Sequence, residues 1–559
     1  MSTNVHGTQL HLLPDLIEEY AGYDLYRLSS QLLNQKEDEK QTLGILLRAA
    51  SFYQKEEFPL ALNQLADIRR LIGVVPLLVM ANIVWLAQRA KQEQFGAFQC
   101  LQFAHDVAAM GYADLALEAC TAAYIFDGLG QFEITKSPQR LKETGLLYQQ
   151  LAGIEPAKRR QPSGRQQQKR KIALVVPNLV DHIVAYTRRV LQFARYLDPE
   201  QYQLKVYVTE NLSKRSNPGF PFGCVDGASR ETGVATLNVL GQLHCPVSVL
   251  DPGLSFLEAG KRLAHQLDED ETDIAIFQSG MACPIDWLGM YASSVPIKAA
   301  VHIGTSYYGA GLDWIFFDNP QNLKREDNWD EQADGKRIVL PKGTDIDLLD
   351  AQPAIERSRL HIPEDAIVVG TLSNHLARRL SEEYMDVIAE IMAENVKVWF
   401  VPIGANILPD KMDYFLKRGV AGRVRFAGRQ RQIGSALKLL DVYASEFPVG
   451  GAQSVMEAMA CYVPVVALRW SDAHAESAGA EVAGPPYGIL SRDLDAYKNM
   501  LRHLINNPTA RIEAGKSMRI RAEQRFSGSK YINTLVDQLD QAYQEKVEGT
   551  RNAECGAQK

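Results

Sequence analysis

Apolar residues recur at helical spacing from residue 8 to about residue 153. LPDLIEEYAGYDLYRLSSQLLNQ, EKQTLGILLRAASFYQ, PLALNQLADIRRLIG, VPLLVMANIVWLAQRA, ADLALEACTAAYIFDGLG and SPQRLKETGLLYQQLAG follow one another with short polar breaks. This pattern predicts an all-α domain over 1–154, without strands. The stretch PAKRRQPSGRQQQKRK cannot bury a core and reads as a basic, solvated linker over 155–169. The period then changes. Short β-rich runs, KIALVVP, YQLKVYVTE, PVSVLDP, TDIAIFQSG, IKAAVHIG and WIFFDN, alternate with helical stretches such as TRRVLQFARYL and SFLEAGKRLAHQL. That alternation predicts a Rossmann-like parallel sheet over 170–338. RIVLPKGTDIDLLD links it to a second α/β domain, 339–547, whose expected strands include AIVVGTLS, VKVWFVPIG and VRFAGRQRQ. Residues 548–559 read as a disordered tail, and 210–234 as a long Gly/Pro/Ser-rich loop.

The second α/β domain contains the stretch that organises the chain, DVYASEFPVGGAQSVMEAMACYVPVVAL, residues 441–468. It reads as strand, turn, helix and strand, with Gly450 and Gly451 directly before the helix. Glycines there let the backbone approach a ligand, and free N–H groups at the helix start attract anions. Ser454 adds a hydroxyl. Glu457 lies about one turn from Gln453 on the same side. A carboxylate repels phosphate but accepts hydrogen bonds from a ribose. The stretch therefore predicts a site for a sugar nucleotide diphosphate, against the plain alternative of an ordinary strand-turn-helix.

Composition narrows the field. Hydrophobic residues make up 46% and charged residues 23%, as in an ordinary globular protein. The net charge of −7 gives no global field for nucleic acid. No apolar run approaches the ~20 residues that span a bilayer, so only peripheral membrane contact stays open. The seven cysteines are scattered without CxxC spacing, which points to reduced thiols, a cytoplasmic setting and no zinc site.

Further candidates lie beyond strand ends, where ligands gather in such sheets. His182 follows KIALVVP and could orient an acceptor or take its proton. Thr305 and Ser306 stand in a small-residue loop after IKAAVHIG, and Asp472 in a polar loop after the organising stretch. Ser373 and Asn374 follow AIVVGTLS. Arg378 and Arg379 are expected at the start of the next helix, where cations gain nothing from the helix dipole unless an anion lies opposite. Arg429 and Gln430 form a polar turn suited to reading a base. Asp345 and Asp347 form an Asp-x-Asp, but in an interdomain linker, where a metal role is not expected.

The order of these parts resembles a GT-B glycosyltransferase over about 171–547. Within that group it is similar to glycosyltransferase family 41, the O-GlcNAc-transferase-like branch that includes bacterial protein N-glucosyltransferases. His182-Ile-Val-Ala-Tyr186 stands where that family has His-Pro-Val-Gly-Tyr, and VHIGTSYYG resembles its Leu-Gly-Tyr-Pro-Gly-Thr-Ser. Asn374-His375-Leu376-Ala377-Arg378 resembles Asn-Gln-Leu-Tyr-Lys, whose Lys holds the diphosphate. Gly451-Ala452-Gln453-Ser454-Val455-Met456-Glu457 resembles Gly-His-Thr-Thr-Gly-Met-Asp, with Ala for His, Gln for a Thr and Glu for Asp. The helical domain ahead of the sheets also fits the family's arrangement, although a tetratricopeptide-like fragment (Ala116 to Ala119, with Tyr124) has no second copy at a period of about 34 residues. The resemblance implies a hexosyltransferase that uses UDP-glucose or UDP-GlcNAc as substrate, with a protein acceptor and no further cofactor. Arg378 and the helix start at Gly451 would carry the diphosphate charge in place of a metal. Glu457 would hold the ribose and the Arg429–Gln430 turn the base. The Glu457 block also resembles retaining families, so stereochemistry stays open. The alternatives are a GT-B enzyme of polysaccharide or glycolipid assembly, a non-catalytic scaffold, and an epimerase of the same fold.

Overall fold

The computed structural model describes residues 3–5, 8–10, 12–72, 77–90, 92–129, 138–153, 156–162, 169–180, 185–211, 233–301, 307–318, 335–373, 375–470 and 479–557. His182, Thr305, Ser306, Asn374 and Asp472 lie outside these residues, as does most of the 210–234 loop. Among the described residues, eight helices between Leu12 and Ala152 form the N-terminal region, as the 3.6-residue period requires. One correction concerns its start. A small antiparallel ribbon, β1 (Thr3–Val5) on β2 (Thr8–Leu10), precedes the helices where no strand was expected, its alternating Thr and Val being good strand formers.

The first parallel sheet comprises β3 (Arg170–Val176), β4 (Tyr202–Val208), β5 (Val247–Val249), β6 (Ile274–Phe277), β7 (Ile297–Val301), β8 (Trp314–Phe317) and β9 (Lys336–Val339). Its strand order is β5-β4-β3-β6-β7-β8-β9. The second comprises β10 (Ile367–Leu372), β11 (Val398–Ile403), β12 (Val442–Ala444), β13 (Val465–Leu468) and β14 (Gly488–Ile489), in the order β11-β10-β12-β13-β14. Helices cover both faces, so the central strands read as unbroken apolar runs. β6 and β13 are buried at every position. VRFAGRQRQ is not a strand. It runs beside β11 through a single bridge, Phe400 to Val424, and two further backbone bonds, because Gly428 and the polar turn end the pairing early.

The helical region is not a separate body. Its core is continuous with one face of the first sheet, including Ala173, Val175, Tyr207 and Phe277. Tyr148 packs edge-on to Trp287 at 5.2 Å and donates a hydrogen bond to the Met281 carbonyl at 3.0 Å. The described part of the basic linker, residues 156–162, is likewise docked rather than solvated. Arg159 pairs with Asp313 at 3.0 Å and donates to the Val295 carbonyl, while Arg160 donates to the Thr272 carbonyl. Each guanidinium satisfies backbone acceptors that a tether would have left to water.

The C-terminus departs from expectation too. Helix Gly528–Ala557 runs through the residues read as a tail and packs Tyr531, Ile532, Leu535 and Tyr543 into the core of the first domain, not the second. The chain therefore crosses between the sheets twice, side by side. Thr344 N donates to the Phe526 carbonyl and Gly528 N to the Thr344 carbonyl. A Cβ on Gly343 would lie 2.6 Å from the Gly528 Cα, so this crossing needs glycine. Among the described residues no helix is long and apolar enough to cross a membrane.

Candidate functional site

β12 leaves the second sheet at Ala444, and the loop to helix Ala452–Ala460 is fixed by side chains around it. Tyr384 Oη donates to the Ala444 carbonyl at 2.8 Å, Tyr497 Oη to the Ser445 carbonyl at 3.0 Å, and Ser381 Oγ to the Phe447 carbonyl at 2.8 Å. The Phe447 ring stacks on Trp470 at 5.4 Å and meets Tyr384 and Tyr497 edge-on. The loop thus delivers Gly450 and Gly451 to the helix start in a set geometry. A Cβ on Gly451 would lie 2.7 Å from Arg379 Nη1 and 2.8 Å from Ser454 Oγ. The Arg379 guanidinium therefore rests against the backbone at the positive end of the helix, a combination that favours an anion.

Contrary to expectation, Arg378 and Arg379 do not open the long helix. They close a short one, Leu376–Arg379, where cations complement the dipole. Helix Glu382–Glu394 begins afterwards, capped by Ser381, whose Oγ accepts from Tyr384 N at 3.1 Å. Arg379 is half-buried against Gly451 and Arg378 is exposed.

The other donor-side candidates are already engaged. Ser373 is buried, and its Oγ accepts from His375 N at 3.0 Å. Tyr443 Oη donates to Ser454 Oγ at 2.9 Å, and that hydroxyl in turn donates to the Gly451 carbonyl at 3.1 Å. Gln430 donates to the Ala427 carbonyl, and Arg429 is exposed beside it. Gln453 Nε2 donates to Glu457 Oε1 at 3.0 Å.

Glu457 is buried and forms an ion pair with Arg188 of helix Ala185–Tyr196, which follows β3. Burial pulls the Arg188 pKa down to about 10, against the opposing charge of Asp345. Asp345 itself pairs with Arg195 at 2.7 Å, while Asp347 is exposed. Because Arg188 lies past the end of β3 and Glu457 past the end of β12, their pair shows that the carboxyl ends of the two sheets face each other. That is the crevice in which α/β sheets bind ligands.

Two site residues carried no expectation. Arg188 offered the same signal as Arg378 and Arg379, a cation near a helix start. Glu446, two residues past β12, is fully buried, and neither carboxylate oxygen has a hydrogen-bond partner. Burial raises its pKa above the ordinary glutamate value, with Arg379 and the nearby Thr371 hydroxyl opposing. A polar layer also caps the first sheet. Asn178 Nδ2 donates to Glu210 Oε2 at 2.8 Å, and Asp286 accepts from Ser279 and Thr209. Burial pushes Asp286 up to about 6 despite those hydroxyls.

Residues 364–507 match the family model described as "Glycosyl transferases group 1". That segment holds Ser373, Arg379, Gly451 and Glu457. No curated protein sequence matches the chain. The structure is similar to that of a mutant O-GlcNAc transferase from Thermobaculum terrenum, at 16% identity and a TM-score of 0.54, covering 96% of this chain and 98% of that one. It is also similar to a glycosyltransferase from Rickettsia africae, at 11% identity and a TM-score of 0.50, over 68% of this chain and 99% of that one. The fold is GT-B, two facing parallel sheets, here preceded by helices.

Proposed function

We propose that the chain is a glycosyltransferase that moves a sugar from a UDP-linked donor, UDP-glucose or UDP-GlcNAc, to a protein side chain. The observation that carries this reading is the Arg379 guanidinium held against Gly451 at a helix start that faces the opposite sheet. In the reaction the acceptor oxygen or nitrogen bonds to the anomeric carbon, the bond from that carbon to the diphosphate breaks, and UDP departs with the electron pair. Arg379 and the free N–H groups steady the departing charge without a metal, with Arg378 beside them. A preorganised donor of this kind is worth about 10²–10³ in rate. His182 orients the acceptor or takes its proton, and Thr305, Ser306 and Asp472 border the transferred sugar. Ser373, Asn374, Arg429 and Gln430 frame the nucleotide, and Gln453 and Ser454 line the helix start. Glu457 takes the ribose once Arg188 releases it. Five buried free thiols fit a reducing, cytoplasmic setting. The group 1 family segment and the fold likeness to an O-GlcNAc transferase are in keeping with this reading.

A panel of UDP-sugars offered with peptides and with cell glycans, products weighed by mass spectrometry, tests it. A hexose or N-acetylhexosamine mass on a peptide, absent with Arg379→Ala, is the expected result. Glycan modified in place of peptide would transfer the protein to polysaccharide assembly. One observation favours a second reading, a non-catalytic scaffold: Glu457 is already paired. That reading expects no turnover and no UDP binding.

A further inference from the structure

Helix Ala185–Tyr196 turns one face toward the crossing between the two domains. Arg188, Gln192 and Arg195 recur along it at i, i+4 and i+7, which places them on a common side. Gln192 Nε2 donates to the Gly343 carbonyl at 3.2 Å, and Arg195 Nη1 donates to Asp345 Oδ2 at 2.7 Å. Arg188, one turn ahead of Gln192, reaches past the crossing to Glu457 of the second domain. Gln453 joins the two places, since its Nε2 lies 3.0 Å from Glu457 Oε1 and 3.4 Å from Thr344 Oγ1. Two arginines of the first domain therefore stand among two buried carboxylates, one on the crossing and one on helix Ala452–Ala460.

The pairing is uneven. Asp345 Oδ1 is buried and makes no well-formed hydrogen bond. Burial raises the Asp345 pKa, and Arg195, the nearby Tyr196 and Gln192 side chains and the Arg188 charge oppose the rise. The charge of Arg188 thus reaches Asp345 as well as Glu457. A second cation on the open oxygen would favour a carboxylate that burial disfavours. A buried ion pair is costly to break when one charge is left bare, so Glu457 gives up Arg188 only to other donors. Ribose hydroxyls are such donors. The displaced guanidinium then has Asp345 as the carboxylate already within its reach.

We infer that Arg188 is an interdomain latch, held on Glu457 until the ribose of an arriving nucleoside diphosphate displaces it onto Asp345. This rests on the glycosyltransferase reading in which Glu457 takes the ribose. The latch makes the contact between the two sheets answer to the nucleoside and not to the diphosphate. Opening it uses part of the binding free energy, which weakens the apparent affinity for the nucleotide.

Calorimetry on the full-length parent, Arg188→Met and Asp345→Asn proteins tests this, with UDP and with dideoxy-UDP, which lacks both ribose hydroxyls. Arg188→Met removes the competitor for Glu457, so UDP should bind about tenfold tighter. Asp345→Asn removes the receiving charge, so UDP should bind about tenfold more weakly. Dideoxy-UDP should bind all three proteins within about twofold. A purely structural role would weaken both ligands in both variants. UDP affinity that is not raised by Arg188→Met or not lowered by Asp345→Asn, or a dideoxy-UDP shift as large as that of UDP, would overturn the latch and leave the glycosyltransferase reading standing. Should a variant fail to fold, the parent decides alone. Hydrogen exchange over residues 343–347 should slow with UDP and not with dideoxy-UDP, and equal protection by the two, or none by UDP, would overturn the latch. No UDP binding by the parent would overturn both readings.

Discussion

Glu446 and Gln278 occupy equivalent places in the two sheets, just past a strand beside the point where the winding reverses. Both are buried without a well-formed hydrogen bond, although the Thr371 hydroxyl lies close enough to Glu446 to oppose the rise in its pKa, and natural cores seldom leave such groups unsatisfied. Glu446 gives a pH signature. Its pKa in the folded protein lies above the unfolded value, so the native state holds the proton longer. Stability therefore falls as pH rises from the ordinary glutamate pKa through the raised one. Glu446→Gln should be more stable than the parent at pH 8, by about 1–3 kcal/mol, with the difference shrinking toward pH 4 in denaturant titrations. A difference that stays constant with pH would contradict the burial argument. The sequence showed Glu446 only as a lone acid in an apolar stretch, and nothing in its neighbours reveals that no partner reaches it. The adjacent arginines were legible as a pair, but which one meets the helix depends on where the short helix Leu376–Arg379 ends.

At the scale of elements, the glycine-led turn before helix Ala452–Ala460 was legible because only a turn followed by a helix accommodates Pro448, Gly450 and Gly451 in that order. Gly451→Ala tests what the turn is for. The added methyl meets the mobile end of Arg379 and not backbone, so stability should change by about 1 kcal/mol or less. Affinity for UDP should nonetheless fall about tenfold, because the guanidinium is displaced from the helix start. Unchanged affinity would mean that Arg379 does not face the diphosphate. The parallel strands were also readable, since burial on both faces leaves runs such as IAIF without polar residues. VRFAGRQRQ has the same composition at its start, yet beside β11 it makes a single bridge and only two further backbone bonds, the last at Gly428. The period of two cannot show how many partners a strand will find.

For the whole molecule, the order of domains was visible in the change of hydrophobic period, but their contacts were not. Amphipathic helix Gly528–Ala557 had to pack somewhere, and its pattern does not say that the chain crosses back to the first sheet. Nor does PAKRRQPSGRQQQKRK disclose that Arg159 and Arg160 find acceptors on that domain. The cleft itself is held by the buried pair of Arg188 and Glu457. Removing one partner strands a buried charge, so Arg188→Met should cost about 3–5 kcal/mol, whereas Arg188→Met with Glu457→Leu should recover most of it. Equal losses in the single and double variants would show that the pair contributes nothing across the domains. The central claim is that the start of helix Ala452–Ala460, with Arg379 against Gly451, holds a nucleotide diphosphate. Calorimetric titration of UDP into the parent, Arg378→Ala and Arg379→Ala proteins tests it most directly. Saturable binding that weakens about tenfold or more with Arg379→Ala, and less with Arg378→Ala, is the predicted result. UDP binding unaffected by Arg379→Ala, or no UDP binding by the parent, would contradict it.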